Sequence, residues 1–396
     1  MKKNYTVIHL HSDLSNGTTN IDSCTKFEQY VQQAKAENMD AIAFTEHGNV
    51  FNWLKKKETC EKYGLKYIHA VELYITESTA EKVRDNYHVG LFARNYEGVL
   101  EINTLLSKAY DRNDGHFYFV PRITLDELMN TSNNIIITTA CIGGLLYKGR
   151  DELKERFVNF LVANKHRCFL EIQHHQDEKQ VAHNKYLLEL SKATGLEIIV
   201  GTDTHALNEN HAKGRKILQI SKGVHFSDED GWDITWKNYD ELKQLFKQQN
   251  IFEEQQIEKA LENTNVLASM VEEFSIDRSY KYPKMSANPL QTLREKIWIG
   301  LHEKGIQNYP NYESEYIPRI REELEVYGHN NAYDFLLLDE DIKSAARNEG
   351  IYCGPSRGSV SGSLIAYLIG MTEMDSIKHK LNFNRFMSKE RVSLAD

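Results

Sequence analysis

Residues that commonly bind metal ions follow one short apolar run after another in the first two-thirds of this chain. His9 and His11 occupy alternate positions in the first run, so a β-strand would point both imidazoles to one side. The later runs contain or end at similar groups, namely Glu46-His47, Glu72, His88, Cys141, His174-His175 and Asp203-Thr204-His205. A single His or Asp near a strand end is most often a hydrogen-bonding loop residue. Surface polarity seldom places such groups on successive strands, and the combination therefore indicates a metal site.

Seven predicted strands would position these groups. They are runs rich in apolar and β-branched residues, at 5–10, 41–45, 66–75, 88–93, 134–139, 168–173 and 197–201. Amphipathic segments such as 25–37 and 152–165 lie between them and are predicted helices. Strands that alternate with helices favour a parallel sheet, open or closed into a barrel. In a barrel the C-terminal strand ends meet on one face, which would bring the candidate ligands together.

The composition is that of a folded chain with more than one domain. At about 150 residues per domain, 396 residues suggest two or three domains. The net charge of -9 argues against a positive surface that wraps duplex nucleic acid, but it leaves room for a local nucleic-acid site. The five cysteines form no CxxC pair, which favours a reducing cytoplasm over a secreted disulfide framework. No apolar stretch has the roughly 20 residues that span a bilayer, so no membrane partner is expected.

A domain junction is predicted after residue 274. Four of the six prolines, at 283, 289, 310 and 318, lie in the Tyr- and Asn-rich stretch that follows. Beyond it the pattern predicts helices at 292–304, 317–326 and 336–348.

A glycine- and serine-rich segment near the C-terminus is a second candidate site. Residues 354–363 read Gly-Pro-Ser-Arg-Gly-Ser-Val-Ser-Gly-Ser and precede an apolar run at 364–369. A tight turn of small residues that opens a helix lets backbone N–H groups and hydroxyls approach a phosphate closely. Taken alone, such a segment is more often a flexible connection.

Several blocks of the first domain resemble the successive motifs of PHP (polymerase and histidinol phosphatase) domains. They are His9-Leu10-His11-Ser12, Thr45-Glu46-His47-Gly48-Asn49, Val71-Glu72-Leu73-Tyr74, Tyr87-His88-Val89, Ala140-Cys141-Ile142-Gly143 and Thr202-Asp203-Thr204-His205. More narrowly, they resemble the N-terminal PHP domain of bacterial replicative DNA polymerase III alpha subunits. The resemblance implies an α/β fold, a distorted seven-stranded TIM-like β/α barrel over residues 1–274, that holds two or three divalent metal ions.

Carried over position by position, the resemblance implies nine metal ligands: His9, His11, Asp22, His47, Glu72, His88, Cys141, Asp203 and His205. The family's aspartate normally follows the HxH closely, whereas residues 16–20 intervene here before Asp22, and Asp13 is the alternative. Glu46 stands where an Asp is usual. The resemblance assigns catalytic roles to Asp203 and Glu72, and we expect His175, near the same face, to contact a substrate phosphate or to support a metal ligand.

The ligand types favour particular metals and a particular reaction. A set that mixes imidazoles, carboxylates and one thiolate suits Zn, Mn or Fe better than Mg, which prefers oxygen ligands. Ions bridged by a carboxylate such as Glu72 would lower the pKa of a shared water and supply hydroxide near neutral pH. The prediction is phosphodiester hydrolysis, and the family context implies a 3'-5' exonuclease acting on DNA. A stand-alone phosphatase of small phosphomonoesters and a purely structural, metal-braced domain are the alternatives.

Residues 275–396 resemble the first part of the palm of the same polymerases, an α+β domain with the polymerase-beta-like nucleotidyltransferase fold. The resemblance lies in 354–363, 381–386 and 390–396, with Ser356 in place of a usual Gly. It implies that the triphosphate of the incoming dNTP binds at Arg357, Gly358, Ser359, Gly362, Ser363, Arg385 and Arg391. Asp396 would be the first of the carboxylates that hold Mg for nucleotidyl transfer.

The two resemblances together predict the N-terminal portion of a DNA-directed DNA polymerase that acts in cytoplasmic DNA replication. The expected partners are DNA, dNTPs and the C-terminal remainder of the polymerase, with a sliding clamp and other replisome subunits reached through that remainder. Polymerisation requires paired metals that clamp the attacking and leaving oxygens, and Asp396 alone cannot hold them. This portion by itself is therefore not expected to extend DNA.

Overall fold

The computed structural model describes residues 3–80, 82–226, 231–279 and 283–390. The chain divides into two compact units, Met1–Ser275 and Ile276–Asp396. The first unit has a mixed α/β architecture, and the described part of the second unit is helical. None of the helices in the described ranges is long and apolar enough to cross a membrane.

A curled sheet of eight strands organises the first unit. The strands are β1 (Ala41–Phe44), β2 (Lys66–Thr76), β3 (Tyr87–Ala93), β4 (Phe117–Tyr118), β5 (Val120–Thr124), β6 (Ile135–Thr138), β7 (Cys168–Ile172) and β8 (Glu197–Val200). Their hydrogen-bonded order is β4-β5-β2-β3-β6-β7-β8, and β1 pairs with β2. The prediction did not include the short β4–β5 hairpin.

The direction of β3 corrects the expected parallel sheet. β3 is antiparallel to both of its neighbours, β2 and β6, whereas the pairs β1–β2, β2–β5, β6–β7 and β7–β8 are parallel. No crossover helix separates β2 from β3 in the described residues between them. Without a crossover the chain can only return in the opposite direction, so the sheet is mixed.

The segment predicted as the first strand is extended but makes only isolated bridges. Val7 pairs with Ile42 of β1, and Leu10 pairs with Thr204 just after β8, both in parallel. This segment carries His9 and His11. It therefore joins the two ends of the curled sheet in the manner of a closing barrel.

Helices cover the outside of this sheet. They are α1 (Phe27–Ala36), α2 (Trp53–Lys62), α3 (Tyr96–Ala109), α4 (Leu125–Met129), α5 (Leu145–Lys148), α6 (Asp151–Ala163), α7 (Glu178–Thr194), α8 (Glu209–Lys222), α9 (Tyr239–Gln249) and α10 (Glu254–Met270). The two amphipathic segments singled out in the sequence are confirmed as α1 and α6. Each buries one apolar face, as α6 does with Leu153, Phe157 and Leu161.

The second unit packs helices α11 (Pro289–Glu303), α12 (Ile317–His329), α13 (Tyr333–Asn348) and α14 (Leu364–Leu368) around one apolar cluster. The three helices predicted here are confirmed as α11, α12 and α13. Residues 276–279 and 283–390 form no strand, so the α+β character expected of a palm is not seen in the part that the structure describes. Arg391 and Asp396 lie outside the described residues.

Candidate metal centre

The register of the strands places the predicted ligands at one end of an apolar interior. A compact cluster of buried side chains takes residues from almost every strand and from α10, including Ile8, Ala43, Ile68, Phe92, Ile136, Phe169, Ile199 and Leu267. Because side chains alternate along a strand, Ile68 in β2 shares its face with Glu72, and Phe92 in β3 shares its face with His88. The apolar residues thus fill one end of the interior, and the polar residues collect at the other.

All nine predicted ligands lie in this polar cluster. Their potential ligand atoms form three overlapping groups within 4.8 Å of one another: His11, Asp22, His47 and His205; His9, His11 and Glu72; and His47, Glu72 and His88. Asp203 Oδ1 lies 3.2 Å from His9 Nε2 and 3.1 Å from His205 Nε2. Cys141 Sγ lies 3.5 Å from His88 Nδ1, at the edge of the third group.

Glu72 lies at the centre of the cluster and faces histidines with both carboxylate oxygens. Its Oε1 is 2.8 Å from His88 Nδ1 and 3.5 Å from His9 Nε2. Its Oε2 is 2.9 Å from His47 Nδ1 and 3.5 Å from His11 Nε2. One buried carboxylate between two pairs of imidazoles is the arrangement that can bridge neighbouring metal ions.

The structure places Asp22, and not Asp13, within the cluster. Asp22 Oδ2 is 3.1 Å from His205 Nδ1, and Oδ1 is 3.4 Å from His47 Nε2. The intervening loop folds back on itself, since the Asn16 side chain accepts the Asp22 N–H at 2.6 Å. Asp13 begins a 3-10 turn and lies outside the three ligand groups.

The cluster is buried, and its carboxylates and imidazoles shift one another's pKa values. Burial opposes ionisation of Asp22, yet His205 and His47 hold its pKa well below the ordinary value. The same balance of burial against histidines lowers the pKa values of Glu72 and Asp203. Burial, followed by the neighbouring carboxylates, raises the pKa of the Cys141 thiol. A bound cation would favour its thiolate form.

Buried ring nitrogens that make no hydrogen bond support metal ligation. His9 Nε2 and His11 Nε2 are fully buried and make no hydrogen bond with the described residues, and the same holds for Glu72 Oε2. Buried polar atoms are costly without a partner and are seldom left so. Imidazole nitrogens that converge on carboxylates fit divalent metal ions, which would take up this free capacity.

Two buried carboxylates outside the nine predicted ligands hold the ligands in place. Glu171 in β7 contacts His9 Nδ1 at 2.5 Å through Oε1 and accepts from Thr138 Oγ1 at 2.7 Å through Oε2. A carboxylate on one imidazole nitrogen directs the other nitrogen to the metal. Only glycine fits opposite it, because a Cβ on Gly201 would lie 1.9 Å from Glu171 Oε1. The alternation of Glu171 with Gln173 and Phe169 was the signal that could have identified it.

Glu46, the residue where the family usually has Asp, is the second of these carboxylates. It forms a buried ion pair with Lys56 Nζ at 2.7 Å and accepts from the Ser15 hydroxyl at 2.6 Å. Ser15 Oγ in turn lies 3.2 Å from His11 Nδ1 and accepts the His47 N–H. Glu46 therefore positions two ligands without being one.

His175 lies near the cluster but is buried, and it is not among the described residues that line the cleft above the cluster. Its buried ring stacks on Trp232, with centroids 4.1 Å apart and planes 8° from parallel. Neither ring nitrogen has a hydrogen-bond partner among the described residues. Burial, followed by repulsion from His174, holds the pKa of His175 well below its ordinary value, so the ring is neutral.

A cleft of about 800 Å³ opens over the polar cluster of predicted ligands. Its floor contains Asp22, His47, His88, Cys141, Asp203 and His205, and its walls contain Arg84, Tyr87, Lys148 and Trp232 among others. These six predicted ligands are thus reachable by a substrate of small-molecule size, whereas His9, His11 and Glu72 are not among the residues that line the cleft.

The glycine-serine segment of the second unit divides into an exposed part and a buried part. Arg357, Gly358 and Ser359 are exposed at a 3-10 turn, Gly358–Gly362, and Arg385 is exposed on another. Gly362 is buried, and a Cβ there would lie 2.5 Å from the carbonyl oxygen of Asn382. The predicted phosphate contacts are therefore not on one accessible surface.

Ser363 and the N-terminus of α14 are occupied by the chain's own carboxylate. Glu323 accepts from Ser363 Oγ at 2.7 Å and from the N–H groups of Leu364 and Ile365 at 2.8 and 2.9 Å. Tyr327 shares the Ser363 hydroxyl at 2.6 Å. This geometry leaves the Ser363 side chain no capacity for a triphosphate. The sequence reasoning missed Glu323 because nothing local links it to a segment 40 residues away.

Two family models match the chain. Residues 8–175 match the PHP domain, and residues 291–396 match the bacterial DNA polymerase III alpha NTPase domain. Together with the mixed α/β sheet, the first match confirms the TIM-like PHP fold expected of the first unit.

Curated relatives named DNA polymerase III subunit alpha match almost the whole chain. The Aquifex aeolicus protein is 30% identical and is aligned with 100% of this chain and 36% of its own length. The Borreliella burgdorferi protein is 30% identical, over 98% of this chain and 34% of its own length. The Helicobacter pylori (strain J99) protein is 28% identical, over 100% of this chain and 35% of its own length. The chain therefore spans about a third of the length of the relatives that it matches, and the resemblance stated from the motifs is confirmed.

Proposed function

We propose that this chain, similar throughout its length to bacterial DNA polymerase III alpha subunits, is the N-terminal portion of a replicative DNA-directed DNA polymerase. Residues 1–274 would be its PHP domain and residues 275–396 the first part of its palm. The continuation of similarity into the second unit supports this over a stand-alone phosphatase, which would need only the first. The proposed partners are DNA, dNTPs and the rest of the polymerase, with a sliding clamp and replisome subunits reached through that remainder, in the cytoplasm.

The first unit is proposed to hydrolyse phosphodiester bonds at DNA 3' ends. The observation that carries this proposal is Glu72, whose two oxygens face two separate pairs of imidazoles beneath an open cleft. Divalent ions held there supply hydroxide near neutral pH and stabilise negative charge on phosphoryl oxygens. The open cleft supports turnover over a purely structural metal site, because a bracing metal needs no access.

The donor set supports two or three ions of Zn, Mn or Fe. Imidazoles outnumber carboxylates among the nine ligands, and Cys141 adds a soft thiolate. His9, His11, Glu72 and Asp203 would hold one part of the cluster, with Asp22, His47 and His205 beside them and His88 and Cys141 at the edge. Mg would serve only the complete polymerase site.

The remaining groups orient the ligands and the substrate. Glu171 keeps His9 Nδ1 occupied, so that Nε2 is directed into the cluster. Asp203, between His9 and His205, is proposed to act in catalysis together with Glu72. His175 is proposed to donate a hydrogen bond to a phosphate oxygen or, from its buried position, to support a metal ligand, since neither of its nitrogens has a hydrogen-bond partner among the described residues.

The palm segment is proposed to contact the triphosphate of the incoming nucleotide through its exposed part, Arg357, Gly358 and Ser359, with Arg385 and Arg391. Gly362 and Ser363 would shape the turn from within, since the former packs on Asn382 and the latter bonds to Glu323. An Arg357→Ala change in the intact polymerase should raise the KM for dNTP. Unchanged incorporation kinetics would remove this assignment.

The nuclease proposal is tested with the whole chain and an Asp203→Asn variant. We expect the unaltered chain to degrade 5'-labelled single-stranded DNA from its 3' end and to bind divalent metal, and we expect the variant to lose both properties. An Asp13→Asn variant is the matched control, because Asp13 lies outside the ligand groups. Turnover of histidinol phosphate without DNA degradation would favour the phosphatase, and bound metal without either reaction would favour the structural role.

A further inference from the structure

An exposed aromatic residue in a strained conformation stands at the edge of the metal cleft. Phe119 is the tip of the β4–β5 hairpin, with a left-handed φ of 66° and a side chain that is 57% exposed. Bulky residues seldom adopt this backbone region, and such strain tends to persist at binding sites. The neighbouring residue Val120 lines the cleft, so Phe119 lies at its rim.

An arginine covers part of the Phe119 ring and extends the feature into the cleft. The Arg84 guanidinium lies 3.8 Å from the ring centroid, and Arg84 is itself exposed. It lines the same cleft as the proposed ligands His88 and Asp203. A positive charge thus lies over one face of an aromatic ring at the edge of the cleft.

A buried arginine connects the two chain segments that carry Arg84 and Phe119. Arg122 is fully buried and donates to the carbonyl oxygens of Val83 at 2.6 Å and Gly115 at 2.9 Å. It also donates to Asp85 Oδ1 at 3.3 Å, beside Arg84. One guanidinium therefore anchors the segment that carries Arg84 and the hairpin that carries Phe119. Backbone segments anchored in this way lose less entropy on binding a ligand than free loops do.

We propose that Phe119 and Arg84 form an entry step for single-stranded DNA, in which Phe119 stacks on a base and Arg84 contacts a phosphate on the way to the metal cluster. Sequence-tolerant single-strand binding uses this combination of an aromatic platform and a cation. A duplex is disfavoured, because the chain has a net charge of -9 and the cleft holds only about 800 Å³. The inference rests on the proposed nuclease function, for which it supplies a substrate-binding surface.

A Phe119→Asn substitution tests this step without damaging the fold. Asparagine tolerates a left-handed φ, so the variant relieves backbone strain while it removes the ring. We expect its melting temperature to be unchanged or higher and its affinity for single-stranded DNA to be at least about fivefold lower. A ring that served only packing would give the opposite result, a lower melting temperature with unchanged binding.

Binding is measured by fluorescence anisotropy with a 5'-labelled dT12 whose 3' linkages are phosphorothioates, in the presence of Mn²⁺. Arg84→Ala should weaken binding to a similar extent as Phe119→Asn. Arg112→Ala is the matched control, because Arg112 stacks on Phe117 of the same hairpin at 4.5 Å but does not line the cleft. Equal affinities for the unaltered chain and both test variants would overturn the proposal.

A second measurement separates this inference from the nuclease proposal. Both variants should show a KM for unmodified dT12 at least about fivefold higher, whereas Arg112→Ala should leave this KM unchanged. If the unaltered chain does not hydrolyse dT12, the nuclease proposal fails and the anisotropy result alone decides the entry step. If dT12 is hydrolysed with the same KM by every variant, the entry step fails and the nuclease proposal stands.

Discussion

Buried carboxylates serve opposite purposes in the two units. In the first unit, Glu72 is surrounded by imidazoles, its Oε2 has no hydrogen bond with the described residues, and nearby His9 Nε2 is equally unpaired. In the second unit, Glu323 is as deeply buried, yet it accepts from a hydroxyl, two backbone N–H groups and the Arg319 side chain. Burial of charge is common to both.

The difference lies in how the charge is satisfied. Glu323 completes its own hydrogen bonds and closes the N-terminus of α14, a role in stability. Glu72 and its neighbours leave bonding capacity that a cation would take up. An unsatisfied buried cluster under an open cleft therefore points to a ligand, whereas a satisfied one points to structure.

Replacement of Glu72 should have the largest effect. In Glu72→Gln the group that faces both pairs of imidazoles loses its charge, and we expect weaker metal binding and a fall of ~1000-fold or more in DNA hydrolysis. Single-turnover rates on 5'-labelled single-stranded DNA measure this effect. A Glu77→Gln variant, altered at the exposed end of the same strand region, should retain full activity.

Replacement of Glu323 should affect stability and leave metal binding unchanged. Glu323→Ala removes the acceptor for Ser363, Leu364 and Ile365 and the carboxylate partner of Arg319, so we expect the second unit to lose about 3 kcal/mol. Urea unfolding followed by circular dichroism measures this loss. A variant with reduced metal content and unaltered stability would show that the contrast between the two carboxylates is wrong.

Glu171→Gln should lower metal affinity by about 10- to 100-fold, because the His9 imidazole loses the carboxylate that orients it and raises its basicity. Competition with a chelator of known affinity measures this change. Glu178→Gln, at the exposed start of α7, provides a control with the same loss of charge. Equal metal affinities in the two variants would show that Glu171 does not orient His9 for metal binding.

A smaller effect is expected in the pH dependence of the second unit. Burial raises the pKa of Glu323 above 4.5, with partial opposition from the N–H groups of Ile365 and Leu364. The folded state therefore binds the proton more tightly, so this contribution to stability is complete below about pH 4.5 and is lost as the pH rises through the folded pKa. Urea midpoints of the unaltered chain should fall relative to those of Glu323→Gln over that range. Parallel curves would contradict the raised pKa.

The candidate ligands could be predicted to lie together because part of their information is local and the family resemblance supplied the rest. HxH spacing placed His9 and His11 on one face, and the strand ends placed Asp203 and His205 together. The resemblance favoured Asp22 over Asp13, and the structure places Asp22 in the cluster through the folded loop held by Asn16.

The parts that were not predicted depend on contacts between distant segments. The antiparallel β3 follows from a return without a crossover helix, which strand propensity does not reveal. Glu171 resembled one more residue in a buried strand, and its role depends on Gly201 and His9 from other segments. Glu323 meets Ser363 only when α12 and α14 pack together.

The central claim is that the buried cluster of the first unit is a catalytic metal centre. Metal-free chain can be titrated with Mn²⁺ while bound ions per chain and 3'-end loss from 5'-labelled single-stranded DNA are measured in the same samples. We expect two or three bound ions, with hydrolysis that appears as these sites fill. The claim would be contradicted if Mn²⁺, Zn²⁺ and Fe²⁺ each bound at this stoichiometry and none of them produced any loss of 3' nucleotides.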